Sequence, residues 1–378
     1  MHILIAPNAF KNSLDATSAA KAIQRGMQRS NLSCTYTRFP VGDGGDGTAA
    51  LLIQHLNGIT SETTVQDPLG RNITASYGLV DDGKTAIIEM ADASGLRLLK
   101  RNEYDPLHAT TFGTGQMIAH AIESGTTKII LCIGGSATVD GATGILRALG
   151  YQSLDSDGNE LSDPASLHLL TDYVKPETDI LSNVQFIVLC DVLNPLLGKN
   201  GSAAVFGPQK GARPEDIPIL EAGLSRLRAL ILEKNHIEIG AITHGGAAGG
   251  IAAGLYGMLD AQLENGIDYF LSFTGFENEV LKASLVITGE GSLDRQTLEG
   301  KAPAGVAKKA KEFNVPVIGF GGKVPDEPDE DLNYYFDRLI CINEPFTLLE
   351  DALSNAGINL ERAAYRLGME MNPVKNRE

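Results

Sequence analysis

The stretch "GLVDDGKT", residues 78–85, fits the pattern G-x-x-x-x-G-K-[ST] at every position. A phosphate-binding P-loop carries that pattern, but it also follows a strand, opens a helix at its Lys-Thr pair and wraps anions with N–H groups. Here "KTAIIEM" (84–90) is β-branched and alternating, so Lys84 enters a strand rather than a helix. Asp81 and Asp82 would place two negative charges inside a loop meant for an anion. "DDG" between "ASYGLV" and "TAIIEM" therefore reads as a hairpin turn, and the chain is not expected to be a P-loop protein.

Working outward, the whole segment "TTVQDPLGRNITASYGLVDDGKTAIIEMADASG" has the turn pairs and alternation of antiparallel strands. On either side the texture differs. "HILIAP" is a buried strand, "DATSAAKAIQRGMQRS" a helix with Ala19, Ile23 and Met27 at helical spacing and Asp15, Thr17 or Ser18 as cap, and "CTYTRFPV" a second strand. The βα pattern resumes in "GTGQMIAHAIESG" and "TKIILCIGGSATVDG", then continues through "NVQFIVLCDV", "PEDIPILEAGLSRLRALILEK", "SLVITGEG", "PAGVAKKAKEF" and "VPVIGFGGK" to a final helix near Thr347–Met369. Strand–helix alternation implies parallel strands with helical crossovers. The expectation is an α/β protein of two domains. Residues 1–60 and 265–378 would form a parallel-sheet domain from both chain ends, and residues 61–264 an inserted α/β domain with a mixed sheet.

At 378 residues the chain is long enough for two cores. A formal net charge of −16 argues against nucleic acid and anionic membranes as partners, so any anionic substrate must be met by local Lys, backbone N–H groups or a bridging cation. The four cysteines, Cys34, Cys132, Cys190 and Cys341, form no C-x-x-C pair and are expected to be buried free thiols in a reducing cytoplasm. No apolar run approaches the length of a membrane span.

Open α/β sheets bind ligands beyond the carboxyl ends of their strands, and the polar loops of this chain fall there. "PNAFKNSL" offers Asn8 and Lys11 ahead of a helix. "GDGGDGT" sets Asp43 and Asp46 three apart among glycines, suited to a hydrated Mg²⁺, to a hydroxyl pair or to a plain Asp-Gly turn with Thr48 as helix cap. "IGGSATVDGA" places Gly134, Gly135, Ser136 and Thr138 where backbone N–H groups can cradle phosphate. "GEGSLDRQTLEGKAP" gathers Glu290, Asp294, Gln296 and Lys301 between an apolar strand and a helix. Asp191 follows a strand directly, Lys210 lies in "FGPQKGA", and "THGGAAGG" adds Gly245, Gly246, Gly249 and Gly250, with His244 as a local hydrogen-bonder. Carboxylates, lysines and N–H-rich loops are the parts that phosphoryl transfer needs, since that step is mostly positioning and charge stabilisation.

These motifs, in order from residue 7 to about 305, closely resemble the bacterial glycerate kinase family (type 1, the glycerate 2-kinase group). "PNAFKNSL", "GDGGDGT", "DPLHATTFGTG", "GGSATVDGA", "CDVLNPLLGKNG…FGPQKGA", "GAAGG" and "VITGEGSLDRQTLEGKAP" carry the resemblance. It departs at Asn8 and Ala9, where the family has Asp and Ser, at Asp46 for Glu, at Ala142 for Gly, and at Ser292 for Arg. The resemblance implies ATP- and Mg²⁺-dependent phosphorylation of D-glycerate to 2- or 3-phosphoglycerate in a cleft between two α/β domains, the one built from both chain ends flavodoxin- or Rossmann-like, of a cytoplasmic monomer or homodimer. On that footing Asp191, with Asp294 as second candidate, takes the proton of the attacking hydroxyl, and Lys11 and Lys301 neutralise carboxylate or phosphoryl charge. Asp43, Asp46 or Glu290 would hold Mg²⁺. Gly134, Gly135, Ser136, Thr138, Gly245, Gly246, Gly249 and Gly250 would meet ATP, and Asn8, Lys11, Asp43, Gln296 and Lys210 the substrate. A kinase of another small hydroxy acid or sugar acid is one rival, with Asn8 and Ala9 marking the altered loop. A non-catalytic sensor of glycerate or nucleotide is another, but it predicts joint loss of the acidic and Lys groups, which this chain keeps.

Overall fold

A computed structural model describes residues 1–177, 180–325, 327 and 329–372. Strand β1 (His2–Ile5) is followed by helix Ala16–Arg29 and strand β2 (Thr35–Arg38). Helix Thr48–His55 leads into β3 (Ile59–Gln66), β4 (Asn72–Val80) and β5 (Thr85–Glu89). After helix Phe112–Glu123 come β6 (Lys128–Cys132), the short pair β7 (Gln152–Leu154) and β8 (Asp172–Val174), β9 (Gln185–Cys190), helices Ile217–Asn235 and Ala247–Leu259, and β10 (Gln262–Asn265). The remainder supplies β11 (Leu285–Ser292), helix Ala302–Glu312, β12 (Val317–Lys323) and β13 (Arg338–Cys341).

The chain divides into two compact units, Met1–Asp43 with Ile267 onward, and Gly44–Gly266. In the first, all strands are parallel in the order β13-β12-β11-β1-β2. Renumbered within the unit this is 5-4-3-1-2, the flavodoxin-like winding, whose switch point lies between β1 and β11. Asp15 caps the first helix by accepting from Ser18 N at 2.8 Å. That helix buries Ala19, Ile23 and Met27 on Ile3, Ile5 and Ile287, and Leu360 and Ala364 of the C-terminal helix join the same core. Gly26 permits this contact, because a Cβ there would stand 2.2 Å from Glu361 O.

The second unit holds a mixed sheet in the order β10-β9-β6-β5-β4-β3, antiparallel from β3 to β5 and parallel from β5 to β10. "GLVDDGKT" is the β4–β5 connection: Val80 pairs with Thr85, and Asp81, Asp82 and Gly83 all take positive φ in the turn between them. Exposed Lys84 enters β5, every residue of which is buried, so no helix starts at the Lys-Thr pair.

Three expectations are corrected. The first unit ends at Asp43 rather than near residue 60, because helix Thr48–His55 packs on β4 and β5; Gly78 lacks the Cβ that would sit 2.2 Å from Ile53. Cys132 and Cys190 are buried, but Cys34 is half-buried and Cys341 exposed, since β13 is an edge strand whose last residue faces outward. The final helix is two, Leu349–Ser354 and Ala356–Met371, interrupted at Asn355.

Candidate active site

In the first unit the loops after β1 and β11 flank the switch point, and a Cβ on Gly291 would lie 3.6 Å from Lys11 N. Asn8 is anchored there by its N–H to Gly289 O at 2.9 Å, and its side-chain amide donates to Asp43 Oδ2 at 2.9 Å. Exposed Lys11 lies in the turn that precedes the capped helix, so it brings its ammonium but not a helix N-terminus. Glu290, near the end of β11, is 8% exposed and accepts from Thr297 Oγ1 at 3.0 Å. Burial pushes its carboxyl up to about 7, against the pull of Lys301 and the Thr297 hydroxyl, while Asp43 and Asp294 add to the rise.

Asp294 is committed to structure. Its carboxylate accepts from Gln296 N and Ser292 Oγ, each at 2.9 Å, and its N–H donates to the Thr297 hydroxyl oxygen, closing a capping box on the turn Arg295–Glu299. Lys301 is the N-cap residue of helix Ala302–Glu312, with Pro303 in the first turn. Gln296 is exposed. The loop therefore carries a rigid frame, with Glu290 and Lys301 inside it.

In the second unit the Gly134–Asp140 loop after β6 is fastened from beneath. Lys210, 2% exposed, donates from Nζ to Ser136 Oγ at 2.6 Å and to Thr138 O at 2.7 Å. Burial pulls this ammonium down to about 7, only partly offset by the charge of Asp140. Asp140 is itself buried and accepts from Thr111 N, Thr111 Oγ1, Ala142 N and Gly144 N. Lys210 therefore shapes the loop from inside and is not presented to a ligand, unlike the expectation for a substrate contact.

The glycines of the second loop act by letting backbones meet. Gly249 has φ +80, and a Cβ there would fall 2.0 Å from Thr138 O. The N–H groups of Gly134, Gly245 and Gly246 are used on Gly44 O, Ile242 O and Asn194 O. Donors for a phosphate are thus to be sought at Gly135, Ser136 and Thr138 rather than at Gly134, Gly245 and Gly246. His244, at φ +70, is hydrogen-bonded through Nδ1 to Val192 O at 2.7 Å, as expected of a local partner. Asp191 is exposed directly after β9. Thr48 is the first helical residue, behind Gly47 as cap, and its hydroxyl accepts from Gly44 N instead.

The Asp46 carboxylate pairs with Arg97 at 3.0 Å. Among the described residues no group of three or more His, Cys, Asp or Glu is arranged to hold a metal ion. Mg²⁺ in kinases uses one or two carboxylates together with phosphate oxygens and water, so Asp43 with its neighbours Glu290 and Asp294 fits that donor chemistry. Sequence reasoning missed Glu89 and Arg97. Glu89 was hidden inside an apolar strand run, and Arg97 acquires meaning from Asp46 and Asp92, to both of which it pairs.

Residues 3–372 match the glycerate kinase family. The chain belongs to the glycerate kinase family. It is 43% identical to a glycerate kinase of Bacillus subtilis (strain 168) over 99% of both chains. It is 40% identical to a glycerate 2-kinase of Escherichia coli (strain K12) over 97% of both. A crystal structure from Salmonella typhimurium LT2, provisionally named glycerate kinase 2, superposes with a TM-score of 0.84 at 39% identity, covering 100% of this chain and 99% of that one. No described helix is long and apolar enough to cross a membrane.

Proposed function

We propose that the chain is an ATP-dependent kinase that phosphorylates D-glycerate, on its 2-hydroxyl. The observation that carries this reading is the buried Glu290 beside Lys301 at the switch point of the first unit, framed by Thr297, Asp43 and Asp294. A small hydroxy acid needs a cation for its carboxylate and a proton acceptor for its hydroxyl, and this loop holds both. The glycerate 2-kinase among the relatives supports the 2-position.

Lys301 and Lys11 are assigned to the substrate carboxylate and the transferring phosphoryl group. Glu290 takes the proton of the attacking hydroxyl, because burial has brought its carboxyl to about 7, where it both accepts and releases a proton. Asp294 is a weaker candidate, since its oxygens serve the capping box. Asp191 stays as the alternative acceptor. Asp43 is the carboxylate proposed for Mg²⁺, which when bound would neutralise charge on the phosphoryl oxygens. The Gly135–Thr138 backbone, stiffened by Lys210, is proposed to meet the triphosphate.

A coupled ADP-release assay with D-glycerate, tartronate and sugar acids tests the substrate, and NMR of the product tests the position. ADP release with D-glycerate and a phosphate on C2 is expected. No turnover of D-glycerate, or faster turnover of another acid, would refute the reading.

A further inference from the structure

Glu89 closes β5, is 4% exposed, and accepts from Ala49 N at 3.0 Å through Oε2. Its other oxygen, Oε1, is buried with no hydrogen-bond partner. An unpartnered buried carboxyl oxygen is costly unless something meets it. Glu89 lines a cavity of about 350 Å³ within the second unit, together with Ile53, Ser76, Tyr77, Asp92 and Arg97. That size is at the small end of ligand pockets.

The charges exclude an anion from this cavity. Its one guanidinium, Arg97, is held by Asp46 and Asp92, and Glu89, whose carboxyl burial pushes up to about 8, adds a hydrogen-bonding edge rather than a cation. The remaining walls are mostly apolar and aromatic, with the hydroxyls of Thr60 and Ser76 among them. Such a site suits a flat, neutral, donor-bearing ring: apolar faces beside Ile53 and Tyr77, an edge at Glu89, and a guanidinium plane available for stacking.

The cavity also adjoins the Gly134–Thr138 loop. Leu96 N donates to Gly135 O at 2.9 Å, next to Arg97 in the chain. A Cβ on Gly134 would lie 2.4 Å from Asp46 N, and one on Gly135 would lie 3.5 Å from Asp46 Cγ. A nucleotide whose phosphates sit on that loop has this cavity beside them. We infer that the cavity receives the adenine base of the nucleotide, with Glu89 Oε1 hydrogen-bonded to the ring's polar edge. The inference rests on the proposed kinase reading and adds the base subsite to it.

The test is calorimetric titration of the full chain with ATP and, separately, with inorganic tripolyphosphate, which carries the phosphates without the base. Glu89→Leu is expected to weaken ATP at least tenfold and leave tripolyphosphate within twofold; Glu89→Gln, which keeps a hydrogen-bonding edge, should stay within threefold of the parent for ATP. Ser76→Phe fills the cavity from the adjacent strand β4, where Ser76 is half-buried, while leaving the Glu89 carboxyl in the chain, and should reproduce the loss even if Glu89→Leu folds poorly. ATP affinity within twofold in Ser76→Phe, or equal loss of ATP and tripolyphosphate in these variants, overturns the base subsite. Failure of the parent chain to bind ATP at all would refute the kinase reading first, and the subsite with it.

Discussion

Replacing Lys210 by Met separates what this lysine costs the fold from what it does for the loop. The folded environment lowers its ammonium from an ordinary 10.5 to about 7 through burial. Between those two pH values the unfolded chain binds a proton that the folded chain does not, so stability rises with pH, at up to about 1.4 kcal/mol per pH unit. Below about 7 both states are protonated and this dependence ends. From pH 7 to 10 the parent should gain about 3 to 4 kcal/mol that the Met variant cannot gain. Met fills similar volume but leaves Thr138 O without its donor, a loss of about 2 kcal/mol. The two effects together put the variant about 2 kcal/mol above the parent at pH 7 and about 1 kcal/mol below it at pH 10. Urea unfolding at half-unit steps from pH 6.5 to 10 measures this crossing. Parallel curves, with a swing under about 1 kcal/mol, would show that Lys210 is not a buried, desolvated cation. Activity should move the other way: with Ser136 and Thr138 unfastened, kcat/KM for ATP is expected to fall about 100-fold at pH 7.5.

Three further outcomes follow from particular contacts. Gly249→Ala places a Cβ 2.0 Å from Thr138 O on a backbone at φ +80, so thermal unfolding should show a loss of about 3 kcal/mol or more, with KM for ATP rising alongside. Glu290→Gln keeps shape and the Thr297 contact but removes the proton acceptor; kcat should drop about 100-fold or more while KM for ATP stays within threefold, and an unchanged kcat would return the role to Asp191. Lys84→Ala should leave ATP affinity unaltered in an equilibrium titration, because Lys84 stands exposed at a hairpin, and a tenfold loss would reopen the P-loop reading.

Much of the architecture was legible from local pattern. β-branched alternation after Lys84 was enough to reject the P-loop, because the periods of strand and helix differ and a Lys-Thr pair cannot open both. Asp15 as a cap, Pro303 in a first turn and the loops beyond "HILIAP" and "SLVITGEG" were readable for the same reason: capping and strand-end chemistry depend on neighbours a few residues away. The polar edge strand β10 and the short pair β7 and β8 escaped, since few of their residues are buried and pattern follows burial.

The site divides along the same line. Asn8, Lys11, Asp43, Glu290, Asp294 and Lys301 could be picked out because polar residues crowd between apolar elements in each motif. What each does could not, because that depends on partners far along the chain. Lys210 is a buried clamp because Ser136 and Thr138, more than 70 residues earlier, meet its ammonium. Asp46 is tied to Arg97, more than 50 residues away, and Glu89 matters because folding buries it beside a cavity with one oxygen unmet. Residue type and order determined the family and the strand ends; tertiary burial alone decided which charges are spent inside the protein and which are left for a ligand, since desolvation and pairing arise only once distant segments pack.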